Sequence, residues 1–343
     1  MSSSLFHSSP KYVGGLDTLR FICALSVMLC HLGGPPVLAW LDKSHGLGKA
    51  AHGLYGSLFP GAPAVIVFFL ISGFCIHYPN SQPGGCAFNA LSFYIRRFIR
   101  IALPVYVLEK LITATGRDFG EIDGVVIWSV HCEMIYYAAY PVLRVLNRWL
   151  SWQQITALAF AGAAVALWLH RGQNEFLNLG VKAASMVGLP CWLLGLLVAE
   201  SASRPWAVSG RIIAVCRLGI YGLACSATVL RFHGGIGFPL SLVFFSMACY
   251  VWLRFELAWR RMYPSPAWLE KGGAWSYSLY LLHFPALSFV GGWLGQGTGT
   301  WLGWTAIVGS ALVISYVYYL AVEKPSHALA KWLGRHVEKV MSR

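Results

Sequence analysis

His31 follows Arg20 by eleven positions in the run GLDTLRFICALSVMLCHLGG, and Asp17 precedes the arginine by three. At 100° per residue, eleven positions are three turns plus about 20°, so Arg20 and His31 share one face of a helix. Asp17 and Arg20 are spaced to pair. His31 then sits about 16 Å further along than Arg20. The pattern is a charged pair at one end of an apolar segment and an imidazole near the other. An imidazole, with an unperturbed pKa of about 6.5, can take a proton from a weak nucleophile at neutral pH. A purely structural use is also open: the pair anchors the helix end and the imidazole meets a carbonyl.

Three further clusters fall in apolar surroundings. In FYIRRFIRIALPVY, Arg97 and Arg100 form an RxxR pair on one helical face, with Arg96 beside them. Guanidinium forks match phosphate oxygens, although arginines at the end of a span also serve as anchors. WSVHCEMIYYAAYP carries His131, Glu133 and Tyr137, and SYSLYLLHFP carries His283 among Tyr277, Ser278 and Tyr280. A carboxylate or imidazole inside a span is costly to bury and is therefore a functional candidate. Ser72 and Gly73 in VFFLISGFCIHYP read as a close-packing site. The chain has no GxSxG elbow, no HExxH, no Walker loop and no GxGxxG before a strand, which argues against soluble-type hydrolases, metalloproteases and ATPases. Its nine cysteines include no CxxC pair, and no metal site is expected.

The elements that must hold these residues follow from composition. Of 343 residues, 57% are hydrophobic and 11% charged, with a mean hydropathy of +0.59. Soluble domains carry about 25% charged residues, so lipid must replace water around most of this surface. The net charge of +13 is spread between apolar blocks rather than gathered on a solvated face, which excludes a nucleic-acid partner.

Ten apolar stretches are expected to be helical spans: 16–33, 61–78, 98–115, 125–143, 153–170, 179–199, 212–230, 236–253, 274–292 and 301–321. With the N-terminus cytoplasmic, 19 of the 26 Lys and Arg fall on the inner side and 7 on the outer side. That asymmetry predicts an all-α polytopic membrane protein with about ten transmembrane helices and both termini cytoplasmic. It is a single transmembrane domain over 1–343, with spans over about 12–325 and a basic amphipathic tail over 326–343. The serine-rich start, Met1–Tyr12, carries no cleavable signal peptide.

Six segments, in this order, resemble the membrane acyltransferase-3 family, of the O-antigen acetylase type. They are the GLDTLRFICALSVMLCHL start, FFLISGF, RRFIRI-x-x-P-x-Y, W-S-x-x-x-E-x-x-Y-Y at Trp128–Tyr137, SYSLYLLHFP and the VEKP close. The resemblance covers about Tyr12 to Pro325. It implies transfer of an acyl group, usually acetyl, from acyl-CoA to a hydroxyl of a cell-surface or extracellular polysaccharide or glycolipid, at the inner (plasma) membrane. His31 and Glu133 would be catalytic, and Arg20, Arg97 and Arg100 would hold acetyl-CoA. Asp17, Arg96, His131, Tyr137 and His283 would support them. The chain departs from the pattern at His131, where the family often has an apolar residue. Partners would be acyl-CoA, the glycan acceptor and the bilayer, and a homo-oligomer is left open. A glycan or lipid transporter and a non-catalytic membrane sensor are the rival readings.

Overall fold

The computed structural model describes residues 13–39, 41, 46–81, 88–118, 123–202, 208–294 and 300–341. The polar N-terminal segment, Cys86, Lys43 and Arg204 lie outside the described residues. The described residues are helical almost throughout and contain no strand. The ten expected stretches all fall on long helices: α1 (Leu16–His31), α2 (Gly61–Ser81), α3 (Ala90–Ala114), α4 (Trp128–Leu146), α5 (Trp152–Leu169), α6 (Gly180–Ser201), α7 (Gly210–His233), α8 (Phe238–Met262), α9 (Ser276–Leu294) and α10 (Trp301–Tyr318). A π-helical turn at Tyr319–Glu323 joins α10 to α11 (Lys324–Met341). Short helices at Gly46–Leu58 and Ala267–Gly273 lie in the connections.

Local chemistry sets the helix starts. Asn89 accepts from the Ser92 N–H at the head of α3, and Ser151 forms a capping box with Gln154 at the head of α5. Ser209 and Thr300 cap α7 and α10 in the same way. Each side-chain oxygen satisfies a backbone donor that the first turn leaves without an intrahelical partner.

Seven helical segments among the described residues are long and apolar enough to cross a membrane. The expected spans on α3, α4 and α9 are not among them. These three carry the RxxR arginines, Glu133 and His283, so the residues that could do chemistry are the ones that dilute their hydropathy. Leu218 on α7, Phe244 on α8 and Leu302 on α10 are exposed, as lipid-facing side chains of a multi-pass protein must be.

The centre is the pair α2 and α6, each buried along most of its length. Glycines make the pair possible. A Cβ on Gly73 would run into the Trp192 carbonyl, and one on Gly195 would run into the Leu70 carbonyl. Without competing hydrophobic drive in lipid, such close backbone contact is a main source of helix association.

α1 packs between α2 and α9, and its first turn is pinned from outside. Glu270 Oε1 accepts from Gly15 N and from Thr18 Oγ1, both at 2.8 Å. Gly273 lies so close to the Asp17 backbone that no Cβ fits. The position of Asp17 and Arg20 is therefore fixed by Ala267–Gly273 as well as by α1. On α8, Glu256 is 1% exposed and accepts from Arg217 of α7 at 2.7 and 2.8 Å and from Arg260 at 2.8 Å. This buried ion cluster ties α7 to α8.

The expected tail helix forms as α11. It packs lengthwise on α3 rather than standing apart from the bundle.

Candidate active site

A cavity of about 660 Å³ opens between α1, α2, α3, α4, α9 and α11. Its walls bring together residues that are far apart in the chain. α1 contributes Asp17 and Arg20, and α3 contributes Arg96, Arg97 and Arg100. Glu133 and Tyr137 come from α4, Tyr277 and Tyr280 from α9, and Glu323, His327 and Lys331 from the last helical segment. Five permanent cations face three carboxylates (Asp17, Glu133 and Glu323). A cavity with this balance in a low-dielectric bundle favours an anionic guest.

Arg20 Nη1 donates to Asp17 Oδ1 at 2.7 Å, the pair expected from their spacing, and Nη2 reaches Cys75 Sγ at 3.2 Å. Arg97 stacks its guanidinium carbon 6.0 Å from the centre of the Tyr137 ring. Arg96 is shared, with Nη2 donating to Glu338 of α11 at 2.6 Å.

Glu133 ends a directed chain of hydrogen bonds. Tyr137 donates its only hydroxyl proton to Glu133 Oε1 at 2.5 Å. Ser72 must therefore be the donor in its 2.9 Å contact with the Tyr137 oxygen. Trp192 Nε1 donates in turn to Ser72 Oγ at 3.2 Å. Every donor points toward the carboxylate, which holds it at the cavity wall with its orientation fixed. His131 is exposed on α4. Two residues on from it is about 200° around the helix, so His131 and Glu133 face different ways.

His31 does not line this cavity, although Arg20 does. It meets His283, with His31 Nδ1 3.0 Å from His283 Nε2 and the rings nearly parallel. His283 is fully buried, and its Nδ1 lies 2.7 Å from the Tyr280 carbonyl oxygen. A carbonyl only accepts, so His283 Nδ1 carries a proton and, in the neutral ring, Nε2 is an acceptor. His31 Nδ1–H then donates to it, leaving His31 Nε2 as the lone-pair nitrogen. The pair is thus oriented like a base and its buried partner, with a backbone carbonyl as the final anchor.

Tyr280 links the cavity to the histidine pair, and its ring centre lies 5.8 Å from that of Phe68, which also lines the cavity. Tyr280 lines the cavity, and its ring lies 6.0 Å from that of His283.

The model of the acyltransferase domain family (Acyl_transf_3) matches residues 13–320. The chain belongs to the acyltransferase-3 family. It is a membrane acyltransferase. Acyltransferase MdmB of Streptomyces mycarofaciens is 23% identical to it over 93% of this chain and 92% of the relative. Nodulation protein 10 of Rhizobium leguminosarum bv. viciae is 27% identical over 49% of this chain and 53% of the relative. No solved structure matches.

In this acyltransferase the cavity gathers Asp17, Arg20, Arg96, Arg97, Arg100, Glu133 and Tyr137, all singled out from sequence. His31 and His283 meet each other beyond it, and His131 joins neither group. Sequence reasoning took Ser72 for a packing residue, whereas its hydroxyl relays the chain to Glu133, and it gave Glu323 no role of its own beyond the VEKP segment. Glu323 is 1% exposed and accepts from Ser278 N at 3.1 Å and Ser278 Oγ at 2.5 Å. Its place in VEKP, just past a predicted span, gave no sign of burial. His327 and Lys331 lie outside every motif. Among the described residues no group of three or more His, Cys, Asp or Glu side chains could hold a metal ion.

Proposed function

We propose that the protein is an integral membrane O-acyltransferase of the plasma (inner) membrane. It moves an acyl group, acetyl in the first instance, from acyl-CoA to a hydroxyl of a cell-surface or extracellular polysaccharide or glycolipid. Ten spans with both termini cytoplasmic put the cationic cavity on the side where acyl-CoA is made. Arg97 and Arg100, with Arg20, hold donor phosphates. The pantetheine arm runs along α1 toward His31.

The observation that carries this reading is the ordered histidine pair. His31 Nε2 takes the proton of the acceptor hydroxyl as its oxygen bonds to the thioester carbon. The carbon–sulfur bond breaks, and the proton returns from the imidazolium to the departing thiolate. His283 accepts from Nδ1–H throughout and steadies the imidazolium. The same Nε2 serves if it attacks the thioester carbon itself, the coenzyme A thiolate leaving, and the acceptor hydroxyl then cleaves the acyl-imidazole and restores the free imidazole. Glu133 binds the acceptor or orients groups at the reacting carbon.

The family membership and the cation excess of the cavity support acyl transfer over a transporter or flippase, which has no use for a thioester donor. The test uses purified protein in liposomes, acetyl-CoA labelled in the acetyl group and a crude extract of surface glycans. Label in the glycan fraction with wild type, and none with His31→Ala, is the expected result. Full labelling by His31→Ala overturns the mechanism. Wild type that neither labels glycan nor binds acetyl-CoA favours the transporter.

A further inference from the structure

The family match ends at residue 320, yet the cavity wall continues into α11. His327, Ala330 and Lys331 line the cavity. Gly334 and Glu338 lie further along the same helical face, since steps of three and four keep a stripe on one side. That second half is the docking half. Ser92 Oγ lies 2.8 Å from Glu338 Oε1, and Arg96 donates to Glu338 Oε2 at 2.6 Å. A Cβ on Gly334 would strike the Arg96 side chain, which lies directly across this glycine. Asn89 meets Met341 while Ser92 and Arg96 meet Glu338, so α11 runs antiparallel to α3. Lys331 is thereby held level with the RxxR arginines.

Two atoms on this wall want a ligand. His327 Nε2 is buried, makes no hydrogen bond, and stands 3.5 Å from Glu323 Oε1. The Lys331 ammonium forms no ion pair among the described residues and is exposed at the cavity. Arg97, by contrast, is half-buried and lies over the Tyr137 ring.

Coenzyme A carries two separate phosphate sites, a diphosphate next to the pantetheine arm and a 3′-phosphate on the ribose. The paired guanidinium forks of Arg97 and Arg100 suit the diphosphate, which leaves the single phosphate at the 3′ position for the cation level with them that has no ion partner among the described residues. We infer that Lys331, with His327 beside it, binds the 3′-phosphate of the donor, so that α11 is the specificity wall for a 3′-phosphorylated nucleotide carrier. The inference rests on the acyl-CoA reading above.

The test measures binding of CoA and of 3′-dephospho-CoA to the full chain in nanodiscs of neutral lipid. The proteins are wild type, Lys331→Gln, Lys331→Arg and Lys339→Gln. A charge-assisted contact corresponds to roughly tenfold to a hundredfold in affinity. Wild type should therefore prefer CoA over 3′-dephospho-CoA by about that factor. Lys331→Gln should lose the preference by binding CoA more weakly, with 3′-dephospho-CoA unchanged. Lys331→Arg should restore the preference, and Lys339→Gln, one charge fewer on α11 outside the cavity, should keep it.

A preference that survives in Lys331→Gln overturns the inference and leaves the acyl-CoA reading standing. An equal loss for both ligands means that the substitution displaces the helix, which also overturns the inference. Wild type that binds neither ligand overturns the acyl-CoA reading itself. In that case, binding of phosphatidylglycerol in nanodiscs that contain it assigns the cavity to a lipid headgroup.

Discussion

His31 and His283 are informative because their protons are ordered. The Tyr280 carbonyl fixes the far end of the pair, and the free lone pair ends up on His31 Nε2. His283→Ala removes the acceptor that steadies the imidazolium. The expected result is a fall in kcat of about a hundredfold, within the range of general-base contributions, with KM for the donor changed little, read from steady-state transfer rates. Tyr137→Phe removes the donor to Glu133 and leaves the Ser72 hydroxyl to turn elsewhere. Transfer should drop about tenfold, and Glu133→Gln in the same background should add less than it does alone, which a double-mutant cycle reports. Arg20, Arg97, Glu133 and His31 were legible from sequence because charged groups in apolar runs stand out. The partner of His31 was not. His283 lies 252 positions away, and no local pattern encodes a contact made by α1 lying against α9.

At the scale of elements, the closest packing is α2 on α6. Gly195→Ala drives a methyl group into the Leu70 carbonyl, so the helices must part. A loss of about 1–3 kcal/mol is expected, measured by thermal unfolding of the detergent-solubilised protein. The cluster at Glu256 makes a second test. Leu253, Glu256 and Leu257 are buried together, so Glu256→Ala leaves the Arg217 and Arg260 guanidinium groups without their shared carboxylate. It should cost about 1.5–3 kcal/mol, the loss of charge-assisted hydrogen bonds to partly exposed guanidinium groups, and the same unfolding measurement should show it. Hydrophobic runs located all ten long helices, since each needs an apolar stretch to meet lipid or its neighbours. They did not show that α11 would turn back along α3. That docking depends on Ser92, Arg96, Gly334 and Glu338, four residues whose types are unremarkable until two helices bring them together.

For the molecule as a whole, the charged ends of α1 and α3, the start of α9 and all of α11 gather at one end of the bundle. The histidine pair lies toward the other end. Reporter fusions at the two termini should give the same cytoplasmic signal if the arginine and lysine asymmetry sets the topology. Donor binding should also weaken as salt rises, because it depends on a surplus of cations at a solvent-filled mouth.

The separation of the cavity from the histidine pair has an electrical consequence. The path from the cavity past Tyr280 to His31 leads from one end of the bundle toward the other, and so along the field of a polarised membrane. A unit charge crossing the full potential changes in energy by about 2.3 kcal/mol per 100 mV. An acyl group is neutral and makes that passage without sensing the field, whereas a proton or a free carboxylate would feel its share. Transfer of the acyl group along this path is therefore indifferent to membrane voltage, while leakage of charge along it would not be.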